Sequence, residues 1–170
     1  MRSHRLALLV IIACTAIPAS AQSLCDLVPA ALVQSTLGLS ATLTAAPNTQ
    51  GGNGCDYKGA STGPITLTAD SISDAGIYKT IFDQRLHSLG PSQQLVSGVG
   101  DAAYYDLKQL QQIPKYPGVN FTQQSVVFRA KGKIVNFILM IPGGGVTKAS
   151  MLALAAYTIS KPINTLKDPN

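Results

Sequence analysis

Residues 133–141 (Lys-Ile-Val-Asn-Phe-Ile-Leu-Met-Ile) constrain the fold more than any other stretch of the chain. Read as a strand, they put Val135, Phe137, Leu139 and Ile141 on one side and Ile134, Ile138 and Met140 on the other, with Asn136 among the second set. A strand that is apolar on both faces must be covered on both, so it belongs at the centre of a sheet. Residues 124–130 precede it across Lys131-Gly132, the pattern of a hairpin with a two-residue turn. Pro142 and Gly143 to Gly145 break it, and residues 147–160 then read as a helix with Ala149, Leu152, Ala155, Ala156 and Ile159 on its buried face.

The remaining elements are shorter. Residues 29–37 read as a helix with proline in its first turn and Gly38 as its stop. Residues 41–46, 55–57 and 65–69 read as strands, the last alternating apolar residues with threonine. Asp74 is placed to cap a helix in which Ile77, Tyr78, Ile81, Phe82, Leu86 and Leu89 form one apolar stripe, ended by Gly90-Pro91. Residues 94–97 and 102–110 read as strands on either side of Gly98-Val-Gly-Asp101, and residues 113–122 as a long loop. Helix, strands, helix, strands, helix in that order predicts a single α+β domain: an antiparallel sheet with helices packed mainly on one face. The domain is expected to span residues 22–161, with 162–170 a disordered tail.

The first 21 residues have the three parts of a secretory leader: a short basic start with Arg2 and Arg5, an apolar run over 6–17, and Pro18-Ala-Ser-Ala21 as a cleavage site. Twelve apolar residues span only about 18 Å, short of the roughly 30 Å hydrocarbon core, so the sequence predicts export and no transmembrane helix. Ile11-Ile-Ala-Cys14 offers a second processing route, lipidation of Cys14. Cleavage before Gln22 yields a periplasmic or secreted protein; lipidation yields one anchored to the membrane.

Either route removes Cys14 from the thiol pool and leaves Cys25 and Cys55. An even pair in an oxidising compartment predicts a Cys25–Cys55 disulfide. The spacing matches neither a redox C-x-x-C motif nor a zinc site.

Without the leader, 11 basic and 8 acidic residues leave a net charge of +3. The basic residues are scattered, with no dense stripe of the kind that nucleic acid requires. Glutamate is absent, and the mature chain has one histidine, His87. A Ser-His-Asp set would have to recruit His87, and no G-x-S-x-G motif is present. Asp83 lies one helical turn before His87, the spacing of an exposed ion pair. Asp56, Asp70, Asp101 and Asp106 could supply paired carboxylates to a hydrolase. There is no calcium-loop pattern, so no metal and no cofactor is expected. The segment 143–150 (Gly-Gly-Gly-Val-Thr-Lys-Ala-Ser) echoes a phosphate loop but has Thr147 where the glycine before Lys148 is required.

The best candidate for recognition is the aromatic and cationic stretch holding Tyr104, Tyr105, Lys115 and Tyr116, with Lys108 and Phe121 nearby. Its expected partner is a ligand or protein of the envelope. Two other functions are weighed beside this binding module: an envelope hydrolase using Asp residues, and a carrier of an apolar ligand on the second face of residues 133–141.

The order Cys25-Asp-Leu27, a helix ending at Leu37-Gly38, Cys55-Asp-Tyr57, then Gly98-Val-Gly-Asp-Ala-Ala-Tyr104, a hydrophobic hairpin and an alanine-rich last helix resembles the small exported bacterial domains of unknown function. Many of those are lipoproteins, especially in actinobacteria. The resemblance implies a cell-envelope location and carries over no catalytic residue.

Overall fold

The computed structural model describes residues 23–48, 53–59, 65–110, 116–166 and 168. The leader, Cys14 and Lys115 lie outside them. Four helices, α1 (Leu24–Leu27), α2 (Ala30–Leu37), α3 (Gly76–His87) and α4 (Lys148–Ser160), accompany seven strands: β1 (Leu43–Pro47), β2 (Cys55–Gly59), β3 (Ile65–Ser73), β4 (Gln93–Val96), β5 (Ala102–Leu110), β6 (Phe121–Ala130) and β7 (Lys133–Pro142). The strands form one antiparallel sheet in the order β1-β2-β3-β7-β6-β5-β4. This is the α+β fold that the sequence predicts, with β7 in the central place.

Side-chain alternation divides the sheet into two unequal faces. On the first, Val135, Phe137 and Leu139 of β7 are fully buried. They share one core with Val126 and Phe128 of β6, Leu67 of β3, and the inner residues of α1, α2 and α4. Rings of Phe128 and Phe137 stack across the strand pair with centroids 6.1 Å apart. Helix α4 contributes Met151, Leu154, Ala155 and Thr158, while Ala149 and Ala156 face outward. Its buried face is therefore rotated from the one expected, because a helix with alanine on most sides accommodates several stripes and its larger residues decide.

Among the described residues the second face carries only α3, over a small cluster of Phe82, Val127 and Ile134 with Ile72, Leu86, Ala102 and Tyr104 at its edge. The rest of that face is mixed. Ile138 and Met140 are half-buried, and the registered neighbours of Ile138 are Thr68 and Ser125. So β7 is sealed on one side and only partly covered on the other.

Two details of α3 correct the sequence reading. Its apolar residues do not form one buried stripe: Phe82 and Leu86 turn to the sheet, whereas Ile77, Tyr78 and Ile81 remain 68, 50 and 52% exposed. The small apolar patch below accepts only two side chains. Nor does Asp74 cap the helix. Ala75 holds the cap position, and the Asp74 carboxylate lies 3.6 Å from Arg129 of β6. Arg129 also binds Asp83 at 2.8 Å and sits 5.3 Å from the centre of the Phe82 ring, so one guanidinium fastens α3 to the sheet.

The N-terminal end is tied twice. A Cys25–Cys55 disulfide joins α1 to β2, with Cα atoms 5.1 Å apart. Nearby, the buried Tyr57 hydroxyl donates to the Val28 carbonyl at 2.6 Å, and burial raises its pKa above the ordinary phenol value. The Lys131-Gly132 turn has φ of 52° and 74°, the left-handed pair that a tight hairpin needs. Gly100 has φ 60°, and a Cβ there would collide with the Arg129 carbonyl, so Gly98-Val-Gly-Asp101 is a close approach of two backbones.

The end of the chain differs from the loose tail expected after residue 161. A 3-10 turn, Ile163–Thr165, buries Ile163, and Leu166 follows it into the core. Asp168 then pairs with Lys133 at 2.6 Å. Two apolar residues separated by a turn are enough to pin a segment that composition alone marks as free.

Candidate functional site

A cleft forms where β4, β5 and β6 meet the turn after β7 and the start of α4. Register places Tyr105, Leu107 and Gln109 of β5 on the helix-bearing face, with Leu107 opposite Gln124 and Gln109 opposite Thr122 of β6. After β7 the chain turns back over these residues through Gly143, Gly144 and Gly145, at φ 69°, 88° and 125°. Only glycine adopts three such conformations in a row without strain. Thr147 then caps α4 by accepting from the Ser150 amide at 3.1 Å, which delivers Lys148 to the rim.

The cleft has a volume of about 390 Å³ and is lined by Gln94, Tyr105, Leu107, Gln109, Thr122, Gln124, Gly143, Gly144, Gly145, Val146 and Lys148. Its wall is held by a chain of hydrogen bonds. The Tyr105 hydroxyl donates to Gln124 Oε1 at 2.9 Å, and Gln124 Nε2 donates to the Val146 carbonyl at 2.7 Å. Both side chains are buried, and every polar atom in this chain has a partner, as burial requires. Burial raises the Tyr105 pKa, with the Asp106 charge adding to it, so the phenol stays a neutral donor. At the rim, Thr122 Oγ1 donates to Gln109 Oε1 at 3.2 Å and Lys148 Nζ to Gln94 Oε1 at 2.8 Å. The same ammonium lies 5.4 Å from the centre of the Tyr105 ring.

The aromatic stretch singled out in the sequence is divided by the fold. Tyr105 lines the cleft. Tyr104 points to the opposite face, where its ring meets Phe82 at 6.1 Å. Tyr116 is half-buried with its ring 5.8 Å from Phe121, and Lys115 is outside the described residues. Period-two alternation already implies that adjacent strand residues separate in this way. The three glutamines carried no motif; only the sheet register assembles them.

The catalytic candidates are scattered. Asp83 gives its carboxylate to Lys79 and Arg129 rather than to His87, correcting the ion pair expected from spacing. Its pKa is lowered, first by the Lys79 hydrogen bond. Asp101 is exposed beside the Gly100 turn. Asp106 is buried, accepting from Gln93 at 3.1 Å and pairing with Lys108 at 3.2 Å. Asp56 accepts from Thr68 at 3.1 Å, and Asp70 from Asn48 at 3.2 Å. The Asp70 pKa is raised by burial and by the Asp56 charge, which makes these two the nearest approach to an acid–base pair. Among the described residues no group of three or more His, Cys, Asp or Glu side chains is arranged to hold a metal ion. No helix among them is long and apolar enough to cross a membrane.

No family model and no curated protein matches the chain. A crystal structure from Bacteroides thetaiotaomicron VPI-5482 is similar, at 18% sequence identity and a TM-score of 0.44. The match covers 75% of this chain and 42% of that one, so the chain spans about two fifths of that protein's length.

Proposed function

We propose that the protein is an exported cell-envelope module that binds a ligand in the cleft under Gly143 to Val146 and leaves it chemically unchanged. The observation that carries this reading is the Tyr105–Gln124–Val146 chain of hydrogen bonds, which holds an open cleft of mixed polar and apolar lining in a fixed shape. Preorganisation of that kind lowers the ordering cost of binding. The lining offers amides, hydroxyls, an ammonium and backbone groups, a set suited to recognition. Export rests on the leader pattern and agrees with the disulfide, a bond that persists in oxidising compartments. Cleavage before Gln22 releases the protein to the periplasm or medium, whereas lipidation at Cys14 tethers it. The resemblance to small exported envelope domains points the same way.

One observation favours a second reading, hydrolysis by Asp56 and Asp70: the raised Asp70 pKa beside a second carboxylate. Activity gels with peptidoglycan, polysaccharide and ester substrates separate the two. The binding reading predicts no clearing by the exported protein. It also predicts that His87→Ala leaves stability within roughly 0.5 kcal/mol of the parent, as a surface change does. Clearing that Asp70→Asn or His87→Ala abolishes, with the melting temperature unchanged, would replace binding by catalysis.

A further inference from the structure

We infer that the cleft takes a carboxylate-bearing saccharide, its acid group at Lys148; this rests on the binding role proposed above. The argument is an inventory of donors and acceptors. Each glutamine oxygen in the lining already receives a hydrogen bond from inside the protein: Gln124 Oε1 from Tyr105, Gln109 Oε1 from Thr122, and Gln94 Oε1 from Lys148. The Val146 carbonyl is likewise occupied by Gln124 Nε2. Among the described residues nothing accepts from Nε2 of Gln94 or Gln109, and the Lys148 ammonium has donors left over after Gln94. The cleft therefore holds free donors at Gln94, Gln109 and Lys148, and a ligand that meets them must bring acceptors.

Charge narrows the class. Lys58, Lys79, Lys108, Lys133 and Arg129 each lie within ion-pair distance of an aspartate. Among the described residues Lys148, like Arg85, Lys131 and Lys161, pairs with no carboxylate; of these four it is the one that lines the cleft, where an amide oxygen and the Tyr105 ring hold it in place. Among the described residues the lining contains no acidic residue. An ammonium kept at the rim of a cleft without a counter-ion attracts an anion, and a charge-assisted bond to a carboxylate is about twice as strong as a neutral one. Leu107 supplies the remaining clue. It is 42% exposed on the strand between the two free amide groups, an apolar surface flanked by donors. A sugar ring has the matching pattern, with C–H groups on its face and oxygens around its edge. A uronic acid adds the carboxylate.

Cellobiose and cellobiouronic acid differ by one carboxylate and test this directly, by calorimetric and NMR titration of the full exported chain. The wild type should bind the acid about tenfold more tightly than the neutral sugar, an advantage that shrinks as salt rises. Lys148→Gln should reduce that advantage, the ratio of the two affinities, to twofold or less. Gln109→Ala should weaken both sugars equally; melting curves of both variants show whether they remain folded. Equal affinity of the wild type for the two sugars would overturn the assignment, as would tighter binding of N-acetyl-dialanine, a carboxylate on a peptide. If none of the three probes binds while small molecules extracted from the envelope still shift the cleft amides, the saccharide class fails and the binding role stands. If the extract leaves those amides unmoved, the binding role fails with it.

Discussion

Replacing Cys55 by serine will destabilise the domain by about 3–4 kcal/mol, the loss expected when a crosslink between residues 30 apart is removed. A further cost follows from the site. Cys55 is fully buried beside Tyr57, Leu67 and Ala69, and a serine hydroxyl there has to find a partner or remain unsatisfied. Against a typical total of 5–15 kcal/mol this is a large fraction, and it should lower the melting temperature by roughly 10 °C. Reducing the wild type with dithiothreitol should reproduce most of the shift, because the crosslink acts chiefly on the unfolded chain. Two free thiols in protein purified from its own host without reductant, with Cys55→Ser as stable as the parent, would remove the staple from the account.

Phe137→Ala should cost about as much, roughly 3–5 kcal/mol, by emptying a fully buried place at the middle of the central strand. The ring stacks on Phe128 and belongs to the core that α2 and α4 close. Its neighbour supplies the control. Ile138 points to the half-covered face, so Ile138→Ala should cost clearly less, in a side chain of comparable apolar content. Urea titration of both variants gives the difference. Equal losses would mean that the two faces are equally sealed, contrary to the register described above.

Which features were legible in the sequence follows from how local their causes are. The two-sided strand 133–141, the Lys131-Gly132 turn, the Gly38 stop and the Thr147 start of the last helix each depend on neighbours in the chain, and each lies where its pattern puts it. The disulfide followed from counting thiols. Helix α3 was harder, because periodicity shows which residues share a stripe and says nothing of how much apolar sheet awaits it. Only Phe82 and Leu86 found room. The buried face of α4 was misplaced for a related reason: alanines on every side leave the stripe undetermined until larger residues meet the sheet. The cleft was the least visible feature. Its residues come from β4, β5, β6 and the turn after β7, and glutamine is also an ordinary surface residue. Tyr105 and the glycine run ending at Lys148 were singled out in advance, for separate reasons and not as one site, and alternation along β5 could have separated Tyr105 from Tyr104.

That the cleft is the working surface can be tested in one measurement: amide NMR of the protein during titration with small molecules extracted from the cells of its own host. The account predicts shifts confined to Gln94, residues 105–109, 122–124 and 143–148, with α3 unmoved. Shifts centred on the exposed Ile77, Tyr78 and Ile81 ridge, or on Asp56 and Asp70, with the cleft amides still, would contradict it.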